Sequence, residues 1–220
     1  MRSFRTAFAG PMLDSYQKGV MAYTYKGVPC LKSPIDLAIY MQLLWDLRPQ
    51  TVIEIGSHSG GSALFFADIL RSYGCDNTSV VSIDLKSPEG VQDSRIRFFE
   101  GSVLDLERVF EVEDLSSLPH PWFVTEDSAH SYEGCMAALK FFSKLMLTGD
   151  VLAIEDGVLE DLGLSSKYDG GPNRAIAEFL TTDPDSFEVA TDMCDLFGFN
   201  ATYNPNGYLR KLGPPKNAKL

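Results

Sequence analysis

The sequence predicts an α/β fold with a seven-stranded, mostly parallel, doubly wound sheet in a single domain. Short apolar segments typical of buried strands alternate with amphipathic segments typical of helices. A glycine-rich turn follows the first of these strands, as it does in nucleotide-binding βαβ units. Residues 1–32 are expected to form a short helix and a loop. Residues 33–220 are expected to form the main part of the same domain.

The composition excludes several classes of protein. A chain of 220 residues can bury a sizeable core without disulfides or a structural metal. Its net charge of −11 argues against a nucleic-acid partner, which would favour a basic surface. No apolar run approaches the roughly 18 residues of a membrane helix, so no membrane partner is expected. The four cysteines include no C-x-x-C pair, and we interpret them as reduced thiols of a cytoplasmic protein.

The first strong helix signal lies just before the central turn. Ser33 suits the N-cap, Pro34 the first helical position, and Asp36 the first turn. Apolar residues then recur at helical spacing until Pro49, which cannot continue a helix. This segment is therefore predicted to pack one helix onto the sheet.

A strand, a glycine turn and a helix follow. Residues 51–55 are predicted to form a buried strand, and Gly56, Gly60 and Gly61 form the turn after it. Their missing side chains are expected to let a ligand approach the backbone closely. The spacing is not the G-x-G-x-x-G of dinucleotide-binding proteins. A second distinctive feature is Glu54, an acid inside the strand.

The Glu54-x-Gly56-x-x-x-Gly60 pattern resembles motif I of the class I S-adenosylmethionine-dependent methyltransferases. In that motif the acid fixes the methionine part of the cofactor. Asp84 ends the next predicted strand, about 20 residues beyond the turn, where a carboxylate can accept from both ribose hydroxyls. Two alternatives stay open: a tight turn without a ligand, and an aspartate that caps the following turn.

The rest of the chain continues the alternation. Ser102 follows the third strand, where methyltransferases contact the adenine or the ribose. Residues 158–171 are a candidate lid, with Tyr168 and Arg174 as candidate substrate contacts. Helices are predicted within 104–118, from Ser131, and from Gly171. The remaining predicted strands are 79–84, 95–100, 121–126, 151–154, 187–191 and 207–212.

Acidic residues follow the fourth and fifth predicted strands. Asp127 follows one, and Glu155 and Asp156 follow the other, on the same sheet edge as the glycine turn. Three carboxylates in one region repel one another unless a cation binds, and oxygen ligands suit Mg²⁺. His130 lies three residues past Asp127 and can point toward the same ion. The alternatives are acids that cap helices or are merely solvated, and a structural histidine.

These segments together resemble the cephalosporin hydroxylase/rhamnosyl O-methyltransferase family, which is similar to the macrolide sugar O-methyltransferases. The matching segments are Ser33–Asp36, Ile53–Gly56, Gly60–Ser62, Ser82–Asp84, Asp127–Tyr132, Ile154–Gly157, Gly171–Leu180 and Asn204–Leu209. The resemblance implies a class I, Rossmann-like methyltransferase domain. It implies His130 as the general base and a divalent metal, Mg²⁺ or a similar ion, on Asp127, Glu155 and Asp156. The residues predicted to bind S-adenosylmethionine are Glu54, Gly56, Ser57, Gly60, Ser62, Asp84, Ser102 and Asp127.

The leading hypothesis is a metal-dependent O-methyltransferase that acts on a hydroxyl of a small molecule, such as a sugar or a natural product. One alternative is an S-adenosylmethionine-binding scaffold that transfers no methyl group itself. The other is an NAD-dependent oxidoreductase, against which the glycine spacing argues. The sequence does not specify the acceptor, and a homo-oligomer stays open.

Overall fold

A seven-stranded sheet forms the centre of the protein. The computed structural model describes residues 2–8 and 10–213, so the last residues of the expected domain, 214–220, lie outside the described residues. Within the described residues the sheet order is β3-β2-β1-β4-β5-β7-β6. The first five strands are parallel, and β7 runs antiparallel to both β5 and β6. The strands are β1 (Thr51–Ile55), β2 (Ser79–Asp84), β3 (Ile96–Glu100), β4 (Trp122–Glu126), β5 (Val151–Ile154), β6 (Phe187–Val189) and β7 (Tyr208–Lys211).

Helices cover both faces of this sheet, which confirms the predicted doubly wound architecture. Helices α2 and α3 pack through one apolar cluster, and α4, α5 and α6 pack through another. The Ser33 hydroxyl accepts from the backbone N–H of Asp36 at 3.3 Å, which confirms the predicted N-cap. The helices are α1 (Gly10–Val20), α2 (Pro34–Leu47), α3 (Gly61–Ser72), α4 (Leu106–Val112), α5 (Tyr132–Leu145), α6 (Gly171–Thr182) and the one-turn α7 (Thr191–Cys194).

The N-terminal segment contains one element that the sequence analysis did not predict. After α1, a two-residue hairpin pairs Thr24–Tyr25 with Val28–Pro29. Lys26 and Gly27 form its turn with φ angles of 49° and 82°, and such left-handed pairs match the twist of a tight hairpin. The strands are too short to show alternation, so the sequence pattern gives no strand signal here.

The end of the chain is tied to the start of α2 through Asp36. This carboxylate is 1% exposed and accepts from the Tyr203 backbone N–H at 2.9 Å and the Tyr208 hydroxyl at 2.7 Å. The Thr202 hydroxyl also donates to it. Burial raises the pKa of Asp36, and these hydrogen bonds oppose that rise. The helix-start acid therefore also organises the loop that precedes β7.

No helix within residues 2–8 and 10–213 is both long and apolar enough to span a bilayer.

Candidate active site

A cavity of about 470 Å³ opens at the carboxyl ends of β1, β2 and β4. Ligands of open α/β sheets bind at this edge. Most of the predicted site residues line the cavity. They are Gly56, Ser57, Ser62, Asp84, Ser102, Asp127, His130 and Asp156. The predicted residues Glu54, Gly60 and Glu155 are not part of the lining.

The packing of the protein itself requires glycine at two positions of the turn. A Cβ on Gly56, whose φ is +104°, would lie 2.2 Å from the carbonyl oxygen of Asp127. A Cβ on Gly61 would lie 2.2 Å from the carbonyl oxygen of Pro29. The space that a side chain would fill is thus occupied by the protein's own backbone. This crowding is a reason for glycine that the sequence analysis did not predict, and close approach of a ligand to the turn stays a prediction.

Glu54 lies inside the sheet beneath this turn. It is fully buried, and the Ser82 hydroxyl donates to its Oε2 at 2.5 Å. Its Oε1 has no hydrogen-bond partner among the described residues. Burial raises the pKa of Glu54, and the attraction of Lys32 opposes the rise. Glu54 thus lies next to the cavity wall rather than in it.

Asp84 has the capping role that was considered for it, and its binding to a ribose stays a prediction. Its Oδ2 accepts from the His58 backbone N–H at 2.8 Å, and its Oδ1 accepts from the Leu85 backbone N–H at 2.6 Å. These bonds fix the carboxylate against the glycine turn. Each oxygen keeps a further acceptor position, so the same carboxylate can accept from hydroxyls in the cavity.

Asp127, His130 and Asp156 come together at the inner end of the cavity. One potential ligand atom from each lies within 4.8 Å of the others. His130 Nδ1 is 3.8 Å from Asp127 Oδ1, and Nε2 is 3.6 Å from Asp156 Oδ2, which exceeds hydrogen-bond distance. Nδ1 is buried and has no hydrogen-bond partner within the described ranges. Two carboxylates and an imidazole with an unpaired buried nitrogen fit a divalent cation.

The pKa shifts in this group also indicate a site that favours positive charge. Burial would lower the pKa of His130, but the attraction of Asp156 and Asp127 outweighs burial and raises it. Burial raises the pKa of Asp156 to about 6, and repulsion from Asp127 adds to the rise while His130 opposes it. A cation among these groups would relieve that repulsion.

Glu155 is placed differently from the prediction. Its carboxylate is buried and its Oε1 lies 2.6 Å from the ammonium of Lys32, whose Nζ also lies 2.5 Å from Asp127 Oδ2. The group whose ligand atoms converge contains the predicted Asp127 and Asp156, with His130 in place of Glu155. Sequence reasoning missed Lys32. The signal available was a lysine directly after the apolar segment Val28–Leu31.

The predicted substrate contacts differ in position. The Tyr168 ring lies edge-on to His130, with a centroid separation of 6.1 Å. Arg174 instead lies 4.1 Å over the ring of Tyr132 and pairs with Asp169 at 2.8 Å. Tyr168 therefore borders the acidic group, and Arg174 is engaged on the surface.

The sheet order and the cavity at its edge define a Rossmann-like, class I methyltransferase, as predicted. The sequence model of the family "Rhamnosyl O-methyltransferase/CmcI" matches residues 17–212. The chain belongs to this family, and it is an S-adenosylmethionine-dependent O-methyltransferase. A similar protein, "Rhamnosyl O-methyltransferase" from Mycobacterium leprae (strain TN), is 32% identical over 190 residues, which cover 84% of this chain and 82% of the relative.

Solved structures agree with the fold. An apo structure of CmcI is 28% identical, with a TM-score of 0.69 over 88% of this chain and 78% of that one. A CmcI structure named for Mg and SAM is 26% identical, with a TM-score of 0.68 over the same shares. CalS11, named as a TDP-rhamnose 3'-O-methyltransferase, is 17% identical and has a TM-score of 0.56 over 95% of this chain and 98% of that one. This last likeness concerns the fold alone.

Proposed function

We propose that this protein is a Mg²⁺-dependent methyltransferase that transfers the methyl group of S-adenosylmethionine to a sugar hydroxyl on a small molecule. The observation that carries the proposal is one cavity that contains both Asp84 beside the glycine turn and the group Asp127, His130 and Asp156. Relatives named for rhamnosyl methylation support the sugar acceptor. A CmcI structure named for Mg and SAM supports the two cofactors.

The wall around the glycine turn would hold the cofactor, which supplies an electrophilic methyl group on a sulfonium. Asp84 would accept from the ribose hydroxyls, since its carboxylate is already fixed by two backbone N–H groups. Ser57 and Ser102 border the cavity on either side of Asp84 and offer hydroxyls to the polar parts of the cofactor. Gly56 lines the same wall. These residues orient the donor relative to the acidic end.

The acidic end would hold the metal. Asp127 and Asp156 line the cavity, and Glu155 shares the ammonium of Lys32 with Asp127. When bound, Mg²⁺ supplies positive charge that stabilises the developing negative charge of the acceptor hydroxyl. The two lining carboxylates would hold the ion, and Glu155 would join them when it is released from Lys32.

His130 would accept the proton of the acceptor hydroxyl. Its Nδ1 is buried, so Nε2 is the ring nitrogen available to the cavity that the residue lines. Asp156 and Asp127 stabilise the imidazolium that forms, since both raise the pKa of His130. The protein then contributes mainly alignment and electrostatic stabilisation to the methyl transfer.

Turnover can be measured as S-adenosylhomocysteine release from S-adenosylmethionine, Mg²⁺ and a panel of rhamnosides. His130→Ala and Asp156→Asn should lower kcat by about 100-fold or more. Both variants should retain S-adenosylhomocysteine affinity. His120→Gln is the matched control, because His120 is similarly part-buried and also faces an aspartate, Asp150, 2.6 Å away. It does not line the cavity, so it should keep its turnover.

Four outcomes would contradict this function. Full turnover in EDTA would exclude the metal, and full turnover of His130→Ala would exclude the base. Binding of S-adenosylhomocysteine without Mg²⁺-dependent turnover of any acceptor would support the scaffold alternative. Thermal protection by NAD but not by S-adenosylmethionine would support the oxidoreductase alternative.

A further inference from the structure

Lys32 is a buried cation that the proposed chemistry does not use. Its side chain is 3% exposed, and its Nζ lies 2.5 Å from Asp127 and 2.6 Å from Glu155. Removal of an ammonium from water is unfavourable, and carboxylates at these distances offset that penalty. Lys32 therefore forms ion pairs with two acids of the proposed metal site.

Some oxygens of the acidic residues contact Lys32, and others face His130. Asp127 Oδ2 accepts a hydrogen bond from the ammonium of Lys32, whereas Asp127 Oδ1 lies 3.8 Å from His130 Nδ1. Asp156 lies near the other ring nitrogen of His130, at 3.6 Å. Glu155 Oε1 accepts from the ammonium of Lys32 at 2.6 Å. A divalent ion that binds these carboxylates is therefore repelled by the charge of the ammonium. It also competes with the ammonium for Asp127 Oδ2 and Glu155 Oε1.

We propose that Lys32 is a built-in counter-cation that weakens divalent-metal binding by holding Glu155 and one oxygen of Asp127. The inference rests on the metal site of the proposed function. Like charges repel, and an ion that uses these oxygens must displace the ammonium from at least one of them. In the metal-free protein, the same ammonium offsets the repulsion between buried Glu155 and partly buried Asp127.

Lys32→Met tests this directly, because methionine removes the charge and keeps an unbranched apolar stem. Mn²⁺ affinity can be measured by the electron paramagnetic resonance of free Mn²⁺ in the presence of S-adenosylhomocysteine. The variant should bind Mn²⁺ at least about tenfold more tightly than the wild type. Its Tm without metal should fall, because buried Glu155 and partly buried Asp127 lose their partner. Saturating Mn²⁺ should then raise the Tm of the variant more than that of the wild type.

Lys86→Met is the matched control. It makes the same change in net charge, but Lys86 is exposed and pairs with Glu89 at 2.9 Å. Because solvent and salt screen a charge in that position, Mn²⁺ affinity should change by less than about twofold. Lys32→Arg keeps the positive charge and should not tighten Mn²⁺ binding.

A measurement on the wild type covers the case in which Lys32→Met does not fold. In protein labelled with ¹⁵N-lysine, a buried, doubly paired ammonium should give a slowly exchanging ¹H–¹⁵N signal. Mg²⁺ should shift or remove this signal, with saturation at the Kd of the metal. The role of Lys32 would be overturned if its ammonium signal did not change when Mg²⁺ binds. It would also be overturned if Lys32→Met bound Mn²⁺ as tightly as the wild type or less tightly. Absence of any divalent binding to the wild type would instead overturn the proposed metal site.

Discussion

Gly56→Ala would place a methyl group where the backbone of Asp127 now lies. The new Cβ would be 2.2 Å from the Asp127 carbonyl oxygen and 2.6 Å from its carbonyl carbon. Both contacts are to backbone held by the Asp127 N–H bond to Ile55, 2.8 Å long, and neither can move by a side-chain rotation. The substitution should therefore displace Asp127 from Gly56 as well as destabilise the fold.

The expected loss in the free energy of unfolding of Gly56→Ala has two parts. A residue with a Cβ at a left-handed φ costs about 1–2 kcal/mol. Insertion of a methyl group into a filled space costs about a further 1–3 kcal/mol. Gly149 separates the two parts, because its φ of +93° is similar to that of Gly56 and nothing lies within 4 Å of its would-be Cβ. Gly149→Ala should thus cost about 1–2 kcal/mol and Gly56→Ala about 2–5 kcal/mol.

Urea unfolding of both variants gives the difference, since the midpoint shift multiplied by m is the change in free energy of unfolding. Mn²⁺ affinity gives a second readout. Gly56→Ala should weaken Mn²⁺ binding through Asp127, whereas Gly149→Ala should leave it unchanged. Equal destabilisation by the two substitutions, with equal Mn²⁺ affinity, would refute the argument that Asp127 requires a glycine at position 56.

Three further changes test the fold. Asp36→Asn should cost about 1–3 kcal/mol in urea unfolding, because an amide offers one acceptor oxygen where Tyr208 and its neighbours now share two; an unchanged midpoint would contradict this. Hydrogen bonding from Arg95 lowers the pKa of Asp93 to about 2, so this ion pair stabilises the fold above the unfolded-state pKa and is lost as pH falls through about 2. As the pH falls through that range, the free energy of unfolding should therefore decrease less for Asp93→Asn than for the wild type. Parallel curves of unfolding free energy against pH for the two proteins would contradict this role of the ion pair. Phe142→Ala should lower the free energy of unfolding by about 3–5 kcal/mol, because it empties a fully buried position between helices and sheet.

The fold could be predicted from the sequence because its signals are local. The central strands are short, mainly apolar segments, and turns or helices separate the strands. The two-residue hairpin before α2 was missed, since it is too short for a periodic pattern. Strand ends are also local, so the positions of Asp127 and Asp156 at one sheet edge could be predicted, as could His130 beside them.

The partner of Glu155 could not be predicted in the same way. Lys32 and Glu155 lie far apart in the sequence, and no local pattern indicates that the segment before α2 crosses the end of β5. The crowding at Gly56 could not be predicted for a similar reason. A glycine signals that a Cβ is not tolerated. Only the three-dimensional arrangement shows that the obstacle is the carbonyl of Asp127.

The hydrogen bond from the Asp156 backbone N–H to Asn204 Oδ1, 2.8 Å long, has a consequence for protein synthesis. The glycine turn and Asp84 leave the ribosome long before the segment that contains Asn204. That late segment also supplies the Tyr203 N–H that binds Asp36. A nascent chain can therefore assemble β1, β2 and Asp84 early. It acquires a fixed Asp156 only when the segment that contains Asn204 packs beside β5, so the proposed metal site should form late in folding.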